Sequence, residues 1–308
     1  MVAPARVCGA STTIVSQEGS GDAAIRNVIV AKPTVGFALP WAGVTLHLSI
    51  KISNDAGESS FLCVISVNRK SSFSYVCNAC GLCCHQKVIT LSPFDVLRLA
   101  RGAGISTREA IDRFTIRRGS ILKFTDDGAC VMLEGARCGV HRRRPLACRL
   151  YPLGIERRQI ADDEKFVMLE PAAGSLGVYA IDGSVSDFVE AQGVAEYLEA
   201  NARYAALLAV FRERIVATVD FDRVEPREFW RRAVREALAE SNYDANLLID
   251  AMFDAGGIEG AGIDEAEIVT EHIKCLAQMV ERESNSEILA AAAVMLAVSL
   301  RYSPNEVQ

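Results

Sequence analysis

The stretch Cys77-Asn-Ala-Cys80-Gly-Leu-Cys83-Cys84 places four of the chain's ten cysteines within eight residues. Three more cysteines follow downstream, at Cys130, Cys138 and Cys148. Thiolates packed this densely repel one another unless a cation or a covalent bond holds them together. These cysteines therefore predict a metal or iron–sulfur site, and they are the strongest functional signal in the sequence.

The spacing inside this stretch is typical of a metal-binding turn. Two cysteines separated by two residues can bind one ion, because a tight turn points both sulfurs inward. The spacing of Cys77, Cys80 and Cys83 repeats this arrangement, and Gly81 tolerates the backbone angles that such a turn requires. Structural zinc sites usually combine two separated pairs, whereas a triplet is more similar to the run that holds a four-iron cluster.

The number of cysteines exceeds what one tetrahedral ion needs. One four-cysteine site with spare thiols, one iron–sulfur cluster such as [4Fe-4S], and a two-metal site with bridging thiolates all remain open. Adjacent Cys83 and Cys84 are not expected to point at the same ion, and His85 and His141 are candidate extra ligands. We predict a zinc or iron–sulfur centre whose metal ligands are Cys77, Cys80, Cys83, Cys84, Cys130, Cys138 and Cys148.

Arginines surround the later cysteines. Positive charge stabilises a thiolate, and the guanidinium group binds carboxylates and phosphates through paired hydrogen bonds. Arg144 and Arg149 are therefore predicted to contact the cofactor, whereas Arg142 and Arg143 are expected to be solvated on a surface loop.

Charge divides the 308 residues unevenly. Residues 77–160 contain 15 Lys and Arg against 7 Asp and Glu, whereas residues 161–308 contain 12 against 28. The basic middle either attracts an anionic partner or complements the acidic C-terminal part.

We predict an α+β fold, in which a small cysteine-rich metal-binding core with short strands and helices precedes an α-helical C-terminal domain. Its parts are an N-terminal extension (1–72), a cysteine-cluster domain (73–185) and a helical domain (186–308).

The N-terminal sequence and the apolar stretches indicate the expected compartment and partners of the protein. The N-terminus lacks a basic region followed by an apolar one, and the longest apolar stretch, Ile288 to Leu300, is too short to span a membrane. We expect a cytoplasmic protein without membrane or nucleic-acid partners, in which thiols stay reduced and bind metal. A protein partner is expected to contact the acidic helical domain.

Local patterns predict the secondary structure. Alternation over residues 44–53 and 61–67 favours a β-hairpin, while Ser92-Pro93-Phe94-Asp95 begins a helix that ends at Gly102. Ser106-Thr107-Arg108-Glu109 predicts a second helix to about Gly119, and Asp187 is predicted to cap the first helix of the C-terminal part. Later helices are expected near residues 194–215, 226–239, 244–253, 264–282 and 286–300, with a glycine-rich linker at 256–262. Cys63 and Cys275 are interpreted as packed thiols.

Three cysteine-bearing segments together resemble the YkgJ-type cysteine-cluster proteins. They are Tyr75–Cys84, Cys130–Cys138 and the segment Arg144-Pro-Leu-Ala-Cys148-Arg149-Leu-Tyr151-Pro152, whose ending is the most specific part of the motif. The resemblance covers roughly residues 73–155, about a quarter of the chain. Family members usually have an aromatic residue before the arginines where this chain has His141.

The resemblance implies a zinc- or iron-chelating domain. One similar branch, the flagellin lysine N-methylases, is associated with an iron–sulfur centre and with methyl transfer to protein lysines. A protein lysine N-methyltransferase is therefore the alternative function, although no glycine-rich nucleotide-binding motif follows a strand here. A thiol-redox protein that uses Cys77 and Cys80 is a third hypothesis, without the βαβ context of thioredoxin-like proteins.

Overall fold

The protein combines short strands in its first half with helices in its second, in a computed structural model that describes residues 45–52, 59–116, 119–156, 165–169, 171–172, 174–238 and 263–301. The described strands are β1 Thr45–Ile52, β2 Ser59–Val67, β3 Ser72–Val76, β4 Thr115–Ile116, β5 Ile121–Leu122, β6 Leu133–Glu134, β7 Arg137–Cys138, β8 Leu153–Glu156, β9 Lys165–Met168 and β10 Val178–Ser184. The described helices are α1 Pro93–Ala103, α2 Thr107–Phe114, α3 Leu146–Leu150, α4 Val185–Ala191, α5 Ala195–Thr218, α6 Pro226–Leu238, α7 Glu265–Arg282 and α8 Ser286–Ser299. The predicted α+β class, with a helical C-terminal region, is confirmed.

The largest sheet connects the start of the described chain with the segment that follows the cysteines. Its strand order is β1-β2-β9-β8, and each neighbouring pair is antiparallel. β1 and β2 form the predicted hairpin, with Thr45 opposite Ser66. Part of the segment assigned to the N-terminal extension thus shares a sheet with β8 and β9. A separate ribbon pairs β10 with β3, and Cys77 directly follows β3.

Helix α1 begins as predicted, but it does not stop at Gly102 as predicted. The Ser92 side chain accepts the Asp95 backbone N–H at 3.2 Å, and the Asp95 carboxylate accepts the Ser92 N–H at 2.9 Å. This reciprocal cap satisfies two of the unpaired donors at the helix start. The helix continues through Gly102 to Ala103 and is terminated by Gly104, which has a left-handed φ of 67°. A left-handed residue of this kind is a common helix end.

Two other predicted helix boundaries were wrong. Helix α2 ends at Phe114, because Thr115 and Ile116 enter β4 and pair with β5. Two β-branched residues in succession favour a strand over a further helical turn. The cap of α4 is Ser184, whereas Asp187 lies at the third helical position and accepts the Ser184 N–H at 2.8 Å.

The C-terminal helices pack around α8. Residues Leu289–Ala297 of α8 are buried on all sides, and the helix contacts both α5 and α6. A helix that is apolar all round must be covered in this way. Among the described residues, no helix combines the length and the apolar character that crossing a membrane requires. The predicted helix near 244–253, the linker at 256–262 and residues 1–40 lie outside the described residues.

A buried polar pair joins two helices of this core. The Tyr204 hydroxyl on α5 and the His272 Nδ1 atom on α7 lie 2.7 Å apart, and both side chains are fully buried. Burial raises the pKa of Tyr204 far above its usual value, so the hydroxyl keeps its proton. A hydrogen bond in such a place is costly to lose, because water does not replace the missing partner.

The substitution Tyr204→Phe should lower the free energy of unfolding by about 1–3 kcal/mol, because it leaves a buried imidazole atom without its partner. Urea unfolding followed by circular dichroism measures this change. The matched control is Tyr179→Phe, since the Tyr179 hydroxyl is buried without a hydrogen-bond partner among the described residues. Removal of that hydroxyl should leave stability unchanged or increase it, and equal losses in both variants would contradict the assignment.

Candidate metal centre

The structure brings five cysteines from four separate segments into one group. These inner cysteines are Cys83 and Cys84 from the 3₁₀ turn Leu82–Cys84, Cys130 from a loop, Cys138 from β7 and Cys148 from α3. Each of them acts electrostatically on at least one other member, and all are free thiols. The outer cysteines, Cys77 and Cys80, lie on the loop between β3 and the 3₁₀ turn.

Backbone pairing places Cys130 beside the Cys83–Cys84 turn. The Cys130 N–H donates to the Cys84 carbonyl oxygen at 2.8 Å, and the Gln86 N–H donates to the Gly128 carbonyl oxygen at the same distance. Gly81 begins the turn with a left-handed φ of 72°, which glycine adopts without strain. The two cysteine-bearing segments are thus aligned by main-chain contacts, independently of any bound metal.

The remaining inner cysteines are presented by a tight hairpin and a short helix. In the hairpin of β6 and β7, Leu133 lies opposite Cys138. In α3, the Leu146 N–H donates to the Asp95 carboxylate at 2.7 Å and fixes the start of the helix that bears Cys148. Asp95 is buried, so α1 and α3 meet at this single carboxylate.

The sulfurs of Cys83 and Cys84 lie 3.9 Å apart. Two thiolates on one tetrahedral zinc ion, each about 2.3 Å from the metal, are separated by about 3.8 Å. The structure therefore differs from the expectation that these adjacent residues diverge. The 3₁₀ turn places both side chains on one side, where the Cys84 thiol is able to donate to the Cys83 sulfur.

Burial and mutual repulsion keep most of the inner cysteines protonated. Burial is the main cause that raises the pKa of Cys130, Cys138 and Cys148, and neighbouring cysteines raise it further. The hydrogen bond to Cys83, followed by burial, raises the pKa of Cys84. The same bond is the main cause that lowers the pKa of Cys83 to about 6, with help from Lys87 and Arg144. One thiolate thus lies among several thiols.

The donor set suits a thiophilic metal chemically, although the donors are not arranged around one point. Among the described residues, no three side chains of His, Cys, Asp or Glu are grouped closely enough to hold a metal ion. The chemistry nonetheless fits, because a cation would remove the repulsion that opposes ionisation of the inner cysteines. Side-chain rotation within the group would have to complete any coordination.

The outer cysteines are held by the loop that precedes β10. Hydrogen bonds from the Leu176 backbone N–H, the Leu82 backbone N–H and Ser175 lower the pKa of Cys80, the Leu176 bond having the largest effect. Asn78 strengthens this contact, since its side-chain amide donates to the Leu176 carbonyl oxygen at 2.7 Å. Cys77 is exposed to solvent.

Arg144 and Arg149 have different surroundings. Arg144 donates to the Gln192 side chain at 2.5 Å and to the His141 carbonyl oxygen at 2.7 Å, and its charge acts on Cys83 and Cys138. Arg149 is buried and uses all three guanidinium nitrogens on backbone carbonyl oxygens, those of Arg142, Arg144 and Gln192. Arg149 therefore braces the cysteine loop. Arg144 is the better placed of the two for the predicted cofactor contact.

The two candidate histidine ligands already have partners. The His85 Nδ1 atom lies 3.1 Å from the Gly81 carbonyl oxygen. The His141 Nδ1 atom lies 3.3 Å from an Arg144 nitrogen, and burial together with the nearby arginines lowers the pKa of His141. A lowered pKa keeps the imidazole neutral, which is the form that binds metals.

Several residues that shape the site have no ligand-type sequence signal. Asp95 was identified only as part of a helix start, and Gln192 was not identified at all. Tyr75 and Tyr151 pack edge to face beside the outer cysteines, with ring centroids 6.1 Å apart. Burial raises the pKa of Tyr75 to about 12. The segments quoted for the family resemblance include both tyrosines, so that resemblance was the signal that could have marked them.

Comparison with known proteins places a family domain over this site. Residues 76–169 match the family model described as "CxxCxxCC: Putative zinc- or iron-chelating domain". No curated protein and no solved structure matches the chain. The match covers all seven predicted ligands and about a third of the 308 residues. The predicted resemblance to the cysteine-cluster family is therefore confirmed over residues 76–169, which are similar to a zinc- or iron-chelating domain.

Proposed function

We propose that the protein binds a thiophilic metal through its inner and outer cysteines and that this centre is an iron–sulfur cluster. The observation on which the proposal rests is the convergence of five cysteines from four segments, most of them with a raised pKa. Ionising several buried thiols together is unfavourable unless their charge is compensated. A metal centre supplies that compensation, and the family description agrees with it.

The spacing of the thiols supports a cluster over a single zinc ion. One tetrahedral zinc ion and one four-iron cluster each use four cysteine ligands, so the number of cysteines alone does not distinguish them. In the known cluster-binding runs, cysteines spaced by two residues hold the irons and a distant cysteine completes the set. Cys77, Cys80 and Cys83 have this spacing, and Cys130, Cys138 or Cys148 is the distant ligand.

The protein's own residues prepare the centre. Arg144 adds positive charge next to the thiolates, and the Leu176 and Leu82 N–H groups donate to the Cys80 sulfur. An iron–sulfur cluster, when bound, would provide one-electron chemistry or a rigid cross-link between the segments. Hydrogen bonds to the sulfurs and burial are the means by which a protein tunes such a centre.

Metal and sulfide analysis of anaerobically purified protein tests the proposal. A cluster predicts iron and acid-labile sulfide in equal amounts, together with a brown colour that dithionite bleaches. Colourless protein with stoichiometric zinc and no sulfide would contradict the cluster but would still support a metal centre. Protein that acquires neither metal during reconstitution would contradict the centre itself.

The alternative function as a protein lysine N-methyltransferase has no specific observation in its favour. The family match ends at residue 169 and describes chelation alone. The contact of a protein partner with the acidic helical domain also stays a prediction.

Single cysteine substitutions should distinguish metal ligands from cysteines that do not bind metal. Cys130→Ser and Cys80→Ser are expected to lose most of the bound metal, because serine is a poor ligand for soft metals. Cys275→Ser is the matched control, since Cys275 lies half-buried on α7, outside the matched domain. Metal content per chain after identical reconstitution is the measurement, and full occupancy in Cys130→Ser would contradict the inner site.

Metal affinity should increase with pH. Cys130, Cys138 and Cys148 have a raised pKa, so each is protonated at neutral pH and releases a proton when it binds as thiolate. Cys83, whose pKa is lowered to about 6, adds a proton release only near or below that pH. The apparent Kd for Zn²⁺ should therefore rise by about tenfold, for each proton displaced, with every unit by which the pH is lowered.

Chelator competition at several pH values between about 6.5 and 8 measures this dependence. A Kd that is constant over the range would mean that the ligands are already ionised before metal binds, contrary to the burial of the inner cysteines. The control is the same titration with Cys275→Ser, which should reproduce the wild-type slope.

A further inference from the structure

A partly buried carboxylate of the helical part is bound by three arginines of the cysteine-bearing part. Glu265, the first residue of α7, contacts Arg98 at 2.5 Å and Arg101 at 3.3 Å, both on α1, and it also binds Arg143. The Glu265 side chain is only 13% exposed. We call Arg98, Arg101, Arg143 and Glu265 the Glu265 cluster.

The cluster depends on the negative charge of Glu265. Burial by itself would raise the pKa of Glu265, but Arg98 and Arg143 outweigh burial and lower it below its usual value. The carboxylate is therefore ionised at neutral pH and lies between three guanidinium groups. Without it, these cations would face one another in a partly buried place, where repulsion is poorly screened.

Arg143 is the member that lies on the loop between two predicted metal ligands. It ends the 3₁₀ turn His141–Arg143, between Cys138 and Cys148 in sequence. Its neighbour Arg144 acts on Cys138 and Cys148, and two residues further on Leu146 is held by Asp95. The position of Arg143 thus fixes the path of the loop that joins two predicted ligands.

Close packing makes this loop sensitive to the position of Arg143. The turn packs against α1 at Gly102, where an added Cβ would lie 3.1 Å from the Arg143 Cβ and 3.2 Å from a Val140 methyl carbon. The absence of a side chain at Gly102 is what allows this approach. Arg143 is therefore held on one side by the backbone of α1 and on the other by the carboxylate of α7.

We propose that Glu265 is a positioning residue for the metal centre: through Arg143 it holds the Cys138–Cys148 loop in the arrangement that binds metal. The proposal rests on the metal centre proposed above and adds that the helical part of the chain controls its affinity. Partners that orient metal ligands typically change metal affinity by about 10–100-fold when removed. Because Glu265 acts through one intervening residue, we expect an effect near the lower end of this range.

The test uses the full chain, reduced and metal-free, titrated with Co²⁺ and then with Zn²⁺ in competition. E265Q keeps the size of the side chain and removes its charge, and it should weaken metal binding by about tenfold. It should also change the thiolate-to-cobalt absorption at saturating Co²⁺, which a mere loss of stability would leave unaltered in the folded protein.

E196Q is the matched control. Glu196 contacts the same Arg98 at 2.8 Å, but its side chain is 66% exposed and no contact joins it to Arg143 among the described residues. The variant removes the same unit of charge from the same arginine, so it should retain wild-type affinity and absorption. Equal weakening in E196Q and E265Q would assign the effect to general electrostatics and overturn the proposal.

A second variant distinguishes an effect of Glu265 through Arg143 from a general loss of stability. R143M should reproduce the loss of affinity, and the double variant E265Q/R143M should be no weaker than either single variant, because both act through one contact. Additive losses of metal affinity in the double variant would show that Glu265 does not act through Arg143. If E265Q fails to fold, as judged by circular dichroism, R143M alone decides: wild-type affinity in R143M would overturn the proposal.

The outcomes also distinguish the two proposals. Wild-type protein that binds neither Co²⁺ nor Zn²⁺ and acquires no iron–sulfur cluster during reconstitution would contradict the metal centre, and the role of Glu265 with it. If the wild-type protein acquires only a cluster, the iron retained per chain replaces the ion titration as the measurement for each variant. Wild-type protein that binds these ions, together with E265Q that binds them equally well, would contradict only the role of Glu265.

Discussion

The buried carboxylate of Asp95 is the constraint on which the arrangement of the site depends. One oxygen accepts from the Ser92 backbone and hydroxyl, both at 2.9 Å, and the other accepts the Leu146 N–H at 2.7 Å. A carboxyl group that is 1% exposed persists only where hydrogen bonds replace its hydration. The start of α1 and the start of α3 are therefore held together, and this contact positions Cys148 on α3.

Helix α1 also connects the two apolar cores. Phe94 and Leu97 belong to the larger core, which includes the C-terminal helices, whereas Val96 and Leu99 belong to the smaller core around the cysteine loops. The smaller core includes Cys130, with Cys84 and Cys138 packed against it. The cysteines are thus attached to a framework whose stability comes from ordinary burial, and the larger core supports that framework from behind.

Burial and electrostatics within the site oppose ionisation of the cysteines. Burial raises the pKa of Cys130 and Cys148, and neighbouring cysteines raise it further, because each added thiolate would raise the energy of the others. Arg144 and Lys87 compensate part of this charge around Cys83. The protein accordingly holds the cysteines close together in protonated form, a state from which metal binding and proton release proceed together.

Local sequence patterns predicted those features that depend on neighbours in the chain. The β1–β2 hairpin, the Ser92 cap and the start of α6 at Pro226 follow from alternation, capping and proline placement. The predicted end of α2 was wrong, because the pairing of β4 with β5 overrode the helical pattern. The cap of α4 was misplaced by three residues, since Ser184 and Asp187 are both good capping residues.

The sequence by itself determined the chemistry of this protein, because ligand type and short spacing are local properties: soft thiolates at intervals of two residues are sufficient to predict a chelating domain. Only the tertiary structure decided how that chemistry is supported. Asp95 and Leu146 are 51 residues apart, and Arg143 and Glu265 are 122 apart. Patterns with periods of 2 or 3.6 residues contain no information on such pairs, because these pairs form only when separate segments pack together.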